Sequence, residues 1–290
     1  MNVGILGQRG GWHTTALQEA WARRGIEAAV LPVTRLTARL SHGPVLSAGD
    51  EALDRLDVLL VRAIPGGSLE QVIFRMDALS RLEAAGVRVV NPARVIERTV
   101  DKYYTSWLLE QAGLPTPRTV VAEQFEDALL AFEALGGDVV LKPIFGSEGR
   151  GMVRLTDADV AYRAFRALEL GRYVYYLQEY LPHGQCDIRV LVMDGRVEAA
   201  MERFGNGWKT NVSQGAQVRP LEVDDGLEAL ALRAAAAVGT EYGGVDILPL
   251  EDGSYSVIEV NGIPGWRGLQ RATGINLADR LVDYVLAGIP

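Results

Sequence analysis

Short apolar runs and amphipathic stretches alternate along the first hundred residues of the chain. Four of the apolar runs predict buried strands, and they occupy residues 2–7, 27–33, 57–63 and 87–92. Leu17, Ala20 and Trp21 recur at helical spacing between the first two runs, and residues 68–86 predict a helix between the last two. Because strands that alternate with helices form parallel sheets, this region predicts a small doubly wound α/β unit.

From residue 100 onward the pattern changes to helices mixed with antiparallel strands. Residues 101–113 predict a helix that ends at Gly113 and that Pro115 and Pro117 prevent from continuing. The next segment predicts strands at residues 118–122, 138–144 and 151–156 and helices at residues 126–136 and 159–169. The last two strands flank a glycine-rich stretch, so this α+β unit is predicted to contain a hairpin with that stretch at its tip.

The remaining strands are predicted to form an antiparallel sheet. Its first members are predicted at residues 173–182, 186–195 and 196–205, with an Asp-Gly turn of the kind that hairpins prefer. A helix is predicted at residues 226–239. A further hairpin is predicted at residues 243–262, with its turn at Asp252 and Gly253.

Composition and charge exclude several classes of function. The 290 residues are 48% hydrophobic and 23% charged, which is typical of a soluble globular protein with two or three packed units. The formal net charge of −8 argues against general affinity for nucleic acid or anionic membranes. The first residues lack the pattern of a signal peptide and no apolar run approaches about 18 residues, so we expect a cytoplasmic enzyme.

The single cysteine and the three histidines are not spaced like the ligands of a zinc site. We expect Cys186 to be a small, partly buried side chain rather than a nucleophile, as free cysteines in a reducing compartment usually are. The chain offers no convincing Ser-His-Asp or Cys-His set, which argues against a covalent mechanism.

The stretch LKPIFGSEGRGM, residues 141–152, places closely spaced glycines directly behind an apolar strand. Glycines allow backbone N–H groups to approach a ligand, and phosphate oxygens commonly occupy such a nest. The stretch matches neither the phosphate loop of P-loop NTPases nor the Rossmann glycine pattern. Taken alone, it fits a phosphate-binding loop and a glycine-rich hairpin turn equally well.

Three oxygen-bearing side chains in the C-terminal hairpin indicate a metal site. Glu259 and Asn261 are two residues apart and face the same side of one strand, and Asp246 on the partner strand can align with them. Such oxygens suit Mg²⁺, which usually completes its shell with phosphate oxygens and water. The alternative is a solvated strand face, but Val257 and Val260 make this strand apolar, and unpaired carboxylates are costly there.

Two lysines are candidates for binding phosphate near the glycine stretch. Lys142 ends the apolar strand ahead of the glycine stretch. Lys102 begins a helix, where its charge opposes the helix dipole unless an anion neutralises it. Together with the glycine nest and the magnesium site, the two lysines predict a clamp for a nucleoside triphosphate.

Nearly the whole chain resembles the RimK-like ATP-grasp ligases. The most specific stretches are, in order, LQEYLPHGQCDIRVLV, GGVDIL and VIEVNGIPGWRGLQRATGIN. The resemblance implies the ATP-grasp fold, a mixed α/β and α+β architecture with an N-terminal, Rossmann-like preATP-grasp domain. It also implies three domains at residues 1–97, 98–177 and 178–290, of which the second carries a lid over ATP and the third carries the metal site.

The resemblance further implies which residues bind ATP. Lys102 and Lys142 would contact its phosphates. The lid loop over the phosphates would contain Gly146, Ser147, Glu148, Gly149 and Gly151. The hinge that reads adenine, partly through backbone groups, would comprise Gln178, Glu179, Tyr180 and Leu181. Asp187 would hold the ribose and Asn211 would contact ATP or substrate, whereas Gln214 stands where many relatives carry an arginine.

Roles in metal binding and catalysis follow from the same resemblance. The residues implied to bind two Mg²⁺ ions, or Mn²⁺ in their place, are Asp246, Glu259 and Asn261. Arg189 and Arg203 would point toward the carboxylate and the transferred phosphoryl group, since a guanidinium fork stabilises an acyl phosphate and the tetrahedral state that follows it. The alternative for either arginine is a surface ion pair.

The family reaction consumes ATP to join a carboxylate to an amine through an acyl phosphate. Within the family, the chain most resembles members linked to tetrahydromethanopterin, which implies addition of L-glutamate to the carboxylate of a small-molecule pterin acceptor. Guanidinium and indole groups would read this acidic, aromatic acceptor, and the candidates are Arg62, Arg75, Trp266 and Arg267. The alternative for Trp266 is a core position after the Pro264-Gly265 turn.

Two other functions stay open at this stage. One is a ligase that modifies the carboxyl terminus of a protein, and the other is a nucleotide-binding module without transfer activity. We expect no nucleic-acid or membrane partner. Because relatives often associate, a homodimer or a homotetramer is an open expectation.

Overall fold

The computed structural model of the chain describes residues 1–146, 149–210 and 215–288. Within these ranges the strands form three sheets of four or five strands and one small three-stranded sheet. No helix in them is both long and apolar enough to cross a membrane. Three of the predicted nucleotide contacts, Ser147, Glu148 and Asn211, lie outside the described residues.

The first hundred residues fold into a parallel sheet with flanking helices. Their elements, in chain order, are β1 (Val3–Leu6), α1 (Trp12–Ala22), β2 (Ala28–Leu31), β3 (Leu36–Ala38), β4 (Leu46–Ala48), β5 (Glu51–Ala52), β6 (Val58–Val61), α2 (Leu69–Ala84), β7 (Arg88–Val90) and α3 (Ala93–Val100). The main sheet has the strand order β2-β1-β6-β7, with every pair parallel. This confirms the predicted α/β unit, including the buried positions Leu17, Ala20 and Trp21.

Two parts of this unit differ from the sequence-based prediction. A small antiparallel sheet of β3, β4 and β5 stands between β2 and β6, where strict alternation would place a helix. In addition, α3 follows β7 almost directly. Strands of two or three residues contain too few alternations to be recognised from the apolar pattern alone.

The middle of the chain forms a second, antiparallel sheet. Its elements are α4 (Lys102–Gln111), β8 (Thr119–Ala122), α5 (Phe125–Ala134), β9 (Val139–Lys142), β10 (Val153–Leu155), α6 (Ala158–Leu170) and β11 (Tyr175–Glu179). The strand order in this central sheet is β10-β9-β11-β8. The prediction that residues 173–182 join the C-terminal sheet is therefore wrong, because β11 pairs with β8 and β9. The predicted domain limit at residue 178 falls inside this strand.

The C-terminal part forms a five-stranded antiparallel sheet. Its elements are β12 (Cys186–Met193), β13 (Arg196–Phe204), β14 (Gln217–Pro220), α7 (Asp225–Val238), β15 (Tyr242–Pro249), β16 (Tyr255–Asn261), α8 (Arg267–Thr273) and α9 (Leu277–Ala287). The strand order is β14-β13-β12-β15-β16. Asp194 and Gly195 join β12 to β13 with φ angles of 52° and 68°, the positive pair that an Asp-Gly hairpin turn provides. The apolar pattern did not predict β14, α8 or α9.

Aspartate and serine caps explain where several helices begin. Ser68 accepts a hydrogen bond from the backbone N–H of Gln71, whose side chain accepts one from the backbone N–H of Ser68, which forms a capping box for α2. Asp101, Asp157 and Asp224 cap α4, α6 and α7 in the same general way. Each side chain satisfies a backbone N–H group that the first turn of a helix leaves unpaired.

The apolar cores show which parts of the chain are packed together. One core joins β1, α1 and α9 to β12 and β13, and it includes Trp21, Met201 and Leu281. Another core lies between the central sheet and the helices α5 and α6, and it includes Phe165 and Leu177. The N-terminal and C-terminal sheets therefore share apolar packing, whereas the central sheet has a core of its own.

Asn91 ties the end of the N-terminal sheet to the C-terminal hairpin. The amide is fully buried, and Nδ2 donates hydrogen bonds to the carbonyl oxygens of Tyr242 at 2.7 Å and Gly262 at 2.6 Å. Oδ1 accepts hydrogen bonds from the backbone N–H of Glu241 at 2.9 Å and from the hydroxyl of Thr240 at 3.2 Å. Because Gly262 directly follows β16, Asn91 fixes the end of the strand that carries predicted metal ligands.

His13 makes a second connection between these parts. Its Nε2 accepts a hydrogen bond from the backbone N–H of Trp266 at 3.0 Å, and its ring lies edge-on to that indole. Burial, together with the positive charges of Arg62 and Arg267, lowers the pKa of His13 to about 3. The imidazole is therefore neutral at neutral pH, as a hydrogen-bond acceptor must be.

We expect Asn91→Leu to lower the free energy of unfolding by about 3 kcal/mol, because it leaves several buried backbone groups without a partner. Urea unfolding would measure this loss. Asn2→Leu is the matched control at an exposed asparagine, where a change below about 1 kcal/mol is expected. Equal stability of the two variants would contradict the role of Asn91.

Acid is expected to destabilise the fold partly through His13. The unfolded chain binds a proton at this histidine below pH 6.5, whereas the folded chain excludes the proton until about pH 3. The stabilisation from the neutral ring is therefore complete above pH 6.5 and is lost as the pH falls toward 3. His13→Gln keeps an acceptor near the position of Nε2 but cannot titrate.

Urea unfolding at two pH values would test this expectation. Between pH 8 and pH 5, the wild-type chain is expected to lose about 2 kcal/mol more unfolding free energy than His13→Gln. Equal losses in the two proteins would contradict the neutral, excluded state of the imidazole.

Candidate active site

Two arginines and two aspartates form a buried ion-pair cluster in the C-terminal sheet. Arg203 donates from Nε and Nη2 to the two carboxylate oxygens of Asp187, each at 2.6 Å. The same guanidinium lies 2.9 Å from Oδ1 of Asp246. Arg189 also donates to Asp246, from Nε to Oδ1 and from Nη2 to Oδ2, the latter at 2.6 Å. The cluster is electrically balanced, and its side chains are only 5–11% exposed.

Strand register explains why these four side chains meet. Arg203 is the partner of Asp187 across β12 and β13, and Asp246 is the partner of Arg189 across β12 and β15. Cross-strand partners lie close enough for their side chains to interact. Gly244 leaves room for the Arg189 side chain, because a Cβ at Gly244 would lie 2.8 Å from Nη1 of that arginine.

Electrostatics keep Asp246 ionised inside the cluster. Burial alone would raise the pKa of Asp246, but Arg189 and Arg203 hold that pKa below its ordinary value. Burial likewise opposes the charge of Arg203, but Asp246 and Asp187 raise the pKa of Arg203 above its ordinary value. Asp246 therefore stays negatively charged between the positively charged Arg189 and Arg203.

Glu259 and Asn261 lie next to Asp246 on the neighbouring strand β16. Glu259 is the register partner of Asp246, and Nδ2 of Asn261 lies 3.5 Å from Oδ2 of Asp246. Glu259 is half-buried and makes no hydrogen bond or salt bridge with the residues that the structure describes. The three predicted metal ligands therefore come together on one hairpin.

The chemistry of these donors fits Mg²⁺ that is bound together with phosphate. Both oxygens of Asp246 accept hydrogen bonds from arginines, so direct coordination by Asp246 requires one guanidinium to release its contact. In the described ranges, no group of three or more His, Cys, Asp or Glu side chains could hold a metal ion. The free Glu259 carboxylate and the Asn261 amide can hold Mg²⁺ when phosphate oxygens complete its shell.

Lys142 approaches this hairpin from the central sheet. It is the last residue of β9, as predicted, and its Nζ donates a hydrogen bond to Oε1 of Gln178. Burial lowers the pKa of Lys142 to about 8, an effect that Glu259 opposes and Lys102 reinforces. The attraction between Lys142 and Glu259 shows that the central and C-terminal sheets place opposite charges at the same site.

The glycine stretch connects the antiparallel neighbours β9 and β10, which confirms the predicted hairpin. Its described glycines have positive φ angles, a region that favours glycine: Gly146 (154°), Gly149 (69°) and Gly151 (75°). Lys102 begins α4, as predicted, and its Nζ donates to the Gly146 carbonyl at 2.6 Å. Lys209 donates to the Met152 carbonyl at 2.7 Å. A lysine therefore holds each end of the stretch.

Most polar groups of the predicted adenine hinge already have partners in the protein. The backbone N–H groups of Glu179 and Tyr180 donate to the carbonyl oxygens of Arg118 at 2.9 Å and Asp138 at 3.0 Å. The Glu179 carboxylate accepts hydrogen bonds from Arg118, and the Arg154 guanidinium lies 3.4 Å from the centre of the Tyr180 ring. Adenine recognition by these residues stays a prediction.

Leu181 and Asp187 occupy different environments. The Leu181 carbonyl lies 2.7 Å from Nδ1 of His183, which turns the chain after the predicted hinge. Asp187 is 3% exposed and both of its carboxylate oxygens accept hydrogen bonds from Arg203. A ribose hydroxyl would therefore have to share these oxygens with Arg203.

Three of the four predicted acceptor residues lie close together at the junction between the N-terminal and C-terminal parts. Arg62 donates to the Tyr242 hydroxyl at 3.0 Å and to the Pro264 carbonyl at 2.7 Å, and it lies 4.3 Å from the centre of the Trp266 ring. Trp266 is 1% exposed, which favours the core position over stacking on a ligand. Arg267 is exposed and lies 5.8 Å from the Trp12 ring centre.

Arg75 and Cys186 lie apart from this group. Arg75 is buried and donates to the carbonyl oxygens of Pro65 and Gly66, so it supports the loop before α2. Cys186 is half-buried, as expected, and burial raises the pKa of its thiol to about 11. A thiol with this pKa is a poor nucleophile at neutral pH.

Several residues on which the site depends escaped sequence reasoning. They are Asn91 and Gly244, described above, and Thr119 and Tyr176, whose hydroxyls accept hydrogen bonds from Gln178. The paired glycines in GGVDIL carried a usable signal, since glycine inside a strand indicates a close approach by another group. The other residues carried no signal, because their partners are distant in sequence.

Comparison with known proteins agrees with this geometry. Residues 99–285 match the family model of the RimK-like ATP-grasp domain. The tetrahydromethanopterin:alpha-L-glutamate ligase of Methanococcus maripaludis is 32% identical over an alignment of 291 positions, which covers 99% of this chain and 98% of that protein. The ligase of the same name from Methanocaldococcus jannaschii is 38% identical over 241 residues, covering 81% and 80%. The alpha-aminoadipate–LysW ligase LysX of Saccharolobus solfataricus is 31% identical and covers 70% and 75%.

Solved structures share the fold over the whole chain. The RimK domain protein ATP-grasp from Sphaerobacter thermophilus has a TM-score of 0.78 at 24% identity, covering 98% of this chain and 99% of its own. The ATP-grasp ligase PsnB complexed with minimal precursor has a TM-score of 0.77 at 24% identity, covering 99% of both chains. These likenesses confirm the predicted ATP-grasp fold. The chain therefore belongs to the RimK-like ATP-grasp family of ATP-dependent carboxylate–amine ligases.

Proposed function

We propose that the protein adds L-glutamate to the terminal carboxylate of a small-molecule acceptor of the tetrahydromethanopterin type, with ATP converted to ADP. The observation that carries the nucleotide-dependent reaction is that Lys142, on the central sheet, lies within electrostatic range of Glu259 and Asp246, which are neighbours in the C-terminal sheet. The acceptor class rests on the relatives that match most of this chain and bear that name. Cations and carboxylates that meet between two sheets suit the triphosphate and its metal.

Asp246, Glu259 and Asn261 would hold the metal, for which we propose two Mg²⁺ ions, with Mn²⁺ as a substitute. Bound Mg²⁺ would neutralise charge on the phosphates and polarise the phosphoryl group under attack. In this proposal Glu259 is the first ligand, because its carboxylate is free of other partners among the described residues. Asp246 joins it when one arginine turns to the substrate.

The remaining nucleotide contacts are assigned as the family resemblance implies. Lys102 and Lys142 would bind phosphate oxygens, and the glycine stretch would cover them. Lys102 supports this role because it already holds the Gly146 carbonyl at 2.6 Å. The hinge at Gln178, Glu179, Tyr180 and Leu181 would contact adenine, partly through backbone groups, and Asp187 would contact the ribose. Ser147, Glu148 and Asn211 stay in the proposal by resemblance alone.

Arg189 and Arg203 would stabilise the reacting carboxylate and the acyl phosphate that forms from it. Arg203 has two carboxylate partners, Asp187 and Asp246, and Arg189 has one, Asp246. Either guanidinium can therefore exchange an aspartate oxygen for a substrate oxygen without leaving its position. The amine of L-glutamate then attacks the acyl carbon and phosphate leaves. No protein nucleophile takes part.

Arg62 and Arg267 are the residues we propose for the acceptor. Arg62 lies over the Trp266 ring and donates to the Pro264 carbonyl, and Arg267 lies over the Trp12 ring. That segment also approaches Arg189, because a Cβ at Gly244 would lie 3.1 Å from Cβ of Pro264 and 2.8 Å from Nη1 of Arg189. The acceptor carboxylate would thus pass from one group of cations to the other.

A second acceptor class deserves a test because of LysX. That relative is named for ligation to LysW and is 31% identical over 70% of this chain. A protein carboxyl terminus is therefore the alternative acceptor, with the same nucleotide site. A cytoplasmic location and a homodimer or homotetramer complete the proposal, as the resemblance implies.

We expect Glu259→Gln to lower the rate of Mg²⁺-dependent ADP formation by about a hundredfold or more, because the amide removes the negative charge that the metal requires. The assay measures ADP at increasing Mg²⁺ concentrations. Glu251→Gln, in the exposed turn of the same hairpin, is the control and should leave the rate unchanged. A Glu259→Gln enzyme with the wild-type rate would show that the metal is held elsewhere.

The acceptor is tested by mass spectrometry of reactions with ATP, L-glutamate and one candidate acceptor at a time. We expect a tetrahydromethanopterin-type carboxylate to gain glutamate, and ADP to form only when both substrates are present. If a protein carboxyl terminus gains glutamate instead, the small-molecule acceptor is wrong and the second acceptor class is correct. If the protein binds ATP but forms ADP with none of the acceptors, it is a nucleotide-binding module without transfer activity.

A further inference from the structure

Gln178 connects Lys142 to a chain of buried hydroxyl groups in the central sheet. Its Oε1 accepts the hydrogen bond from Nζ of Lys142. Its Nε2 donates to Oγ1 of Thr119 at 3.0 Å and to the Tyr176 hydroxyl at 3.3 Å. The Tyr176 hydroxyl lies 2.7 Å from Oγ of Ser106 on α4. These hydrogen bonds therefore form a continuous network from Ser106 on α4 to Lys142 at the end of β9.

Strand register accounts for this arrangement. Lys142 is the partner of Tyr176 across β9 and β11, and Thr119 is the partner of Gln178 across β8 and β11. Tyr176 and Gln178 are two residues apart and face the same side of β11. All four side chains therefore lie on one face of the central sheet, with Gln178 diagonal to the lysine.

The direction of each hydrogen bond to the Gln178 amide is determined by the chemistry of its partners. A lysine ammonium can only donate, so it must face the amide oxygen of Gln178. At the other end, the Thr119 hydroxyl donates to the Pro117 carbonyl at 2.9 Å, so toward Gln178 it acts as an acceptor. The Tyr176 hydroxyl likewise accepts from Gln178, and in its contact with Ser106 either hydroxyl can be the donor. A flipped amide would break these bonds and turn its NH₂ group toward the ammonium.

Burial makes the contact important for Lys142. Gln178 is 2% exposed, and the same burial lowers the pKa of Lys142. A partly buried ammonium depends on the oxygens that the protein supplies. The amide oxygen of Gln178 is the one described atom that accepts a hydrogen bond from Nζ, so it determines where the charge points.

We propose that Gln178 is a positioning residue for Lys142, held in one amide orientation by Thr119 and Tyr176, and that its side chain does not read adenine. The proposal rests on the proposed function, in which Lys142 contacts phosphate. Both N–H donors of the Gln178 amide are in use and its oxygen faces the Lys142 ammonium, so the side chain has no donor left for a base. Its effect on nucleotide binding must therefore pass through the lysine.

Comparing ATP with adenosine separates the two roles, because adenosine carries the base and sugar but no phosphate. Gln178→Met keeps the size of the side chain and removes its polar atoms. We expect this variant to bind ATP roughly tenfold more weakly, as for loss of a hydrogen bond to a charged group, and adenosine within about twofold of wild type. Calorimetry or competition with a fluorescent nucleotide would give both Kd values.

A second variant tests the chain of hydroxyls with Gln178 intact. The double variant Thr119→Val, Tyr176→Phe removes both acceptors that orient the amide, and it should also weaken ATP binding but not adenosine binding. Tyr175→Phe is the matched control, since this neighbour on β11 also loses a buried hydrogen bond, to the Phe165 carbonyl, but on the opposite face. It should bind ATP as the wild type does. Melting temperatures confirm that each variant is folded.

The outcomes distinguish this inference from the proposed function. Lys142→Met should weaken ATP binding at least as much as Gln178→Met. If Lys142→Met binds ATP normally, the phosphate role of the lysine fails, and the positioning role fails with it. If Lys142→Met is impaired but Gln178→Met binds ATP normally, or loses ATP and adenosine affinity by the same factor, the positioning role alone is overturned.

Discussion

The ion-pair cluster of Arg189, Arg203, Asp187 and Asp246 is the constraint on which the site depends. Four charged groups that are almost excluded from water are stable only if their charges balance and each has hydrogen-bond partners. Removing any one member would leave a net charge in the buried cluster. The register of β12, β13 and β15 is therefore linked to the chemistry, because a shift by one residue would turn every one of these side chains to the other face.

The two sheets contribute different halves of the site. The C-terminal sheet supplies the ion-pair cluster and the candidate metal ligands, and it shares a core with the N-terminal sheet. The central sheet supplies Lys142 and the glycine stretch and has its own core. A site divided between separately packed bodies can change the distance between its halves without disturbing either core, which suits an enzyme that must admit a nucleotide and then exclude water.

Buried polar side chains organise both halves. Asn91 saturates its amide with backbone groups at the end of the hairpin, and Gln178 saturates its amide between a lysine and two hydroxyls. In each case an amide has a donor and an acceptor end, so its surroundings select one orientation. Such fully satisfied contacts specify position, whereas apolar packing alone tolerates small displacements.

Local sequence patterns predicted most helices and strands, the glycine hairpin and the adjacency of Asp246, Glu259 and Asn261, because these depend on periodicity and on one hairpin. Tertiary structure decided the rest. It assigned β11 to the central sheet, buried Trp266, paired Asp187 with Arg203, and turned Gln178 toward Lys142. Each of these outcomes depends on partners that are distant in the chain, and a local pattern contains no information about which distant strand or side chain will be the neighbour.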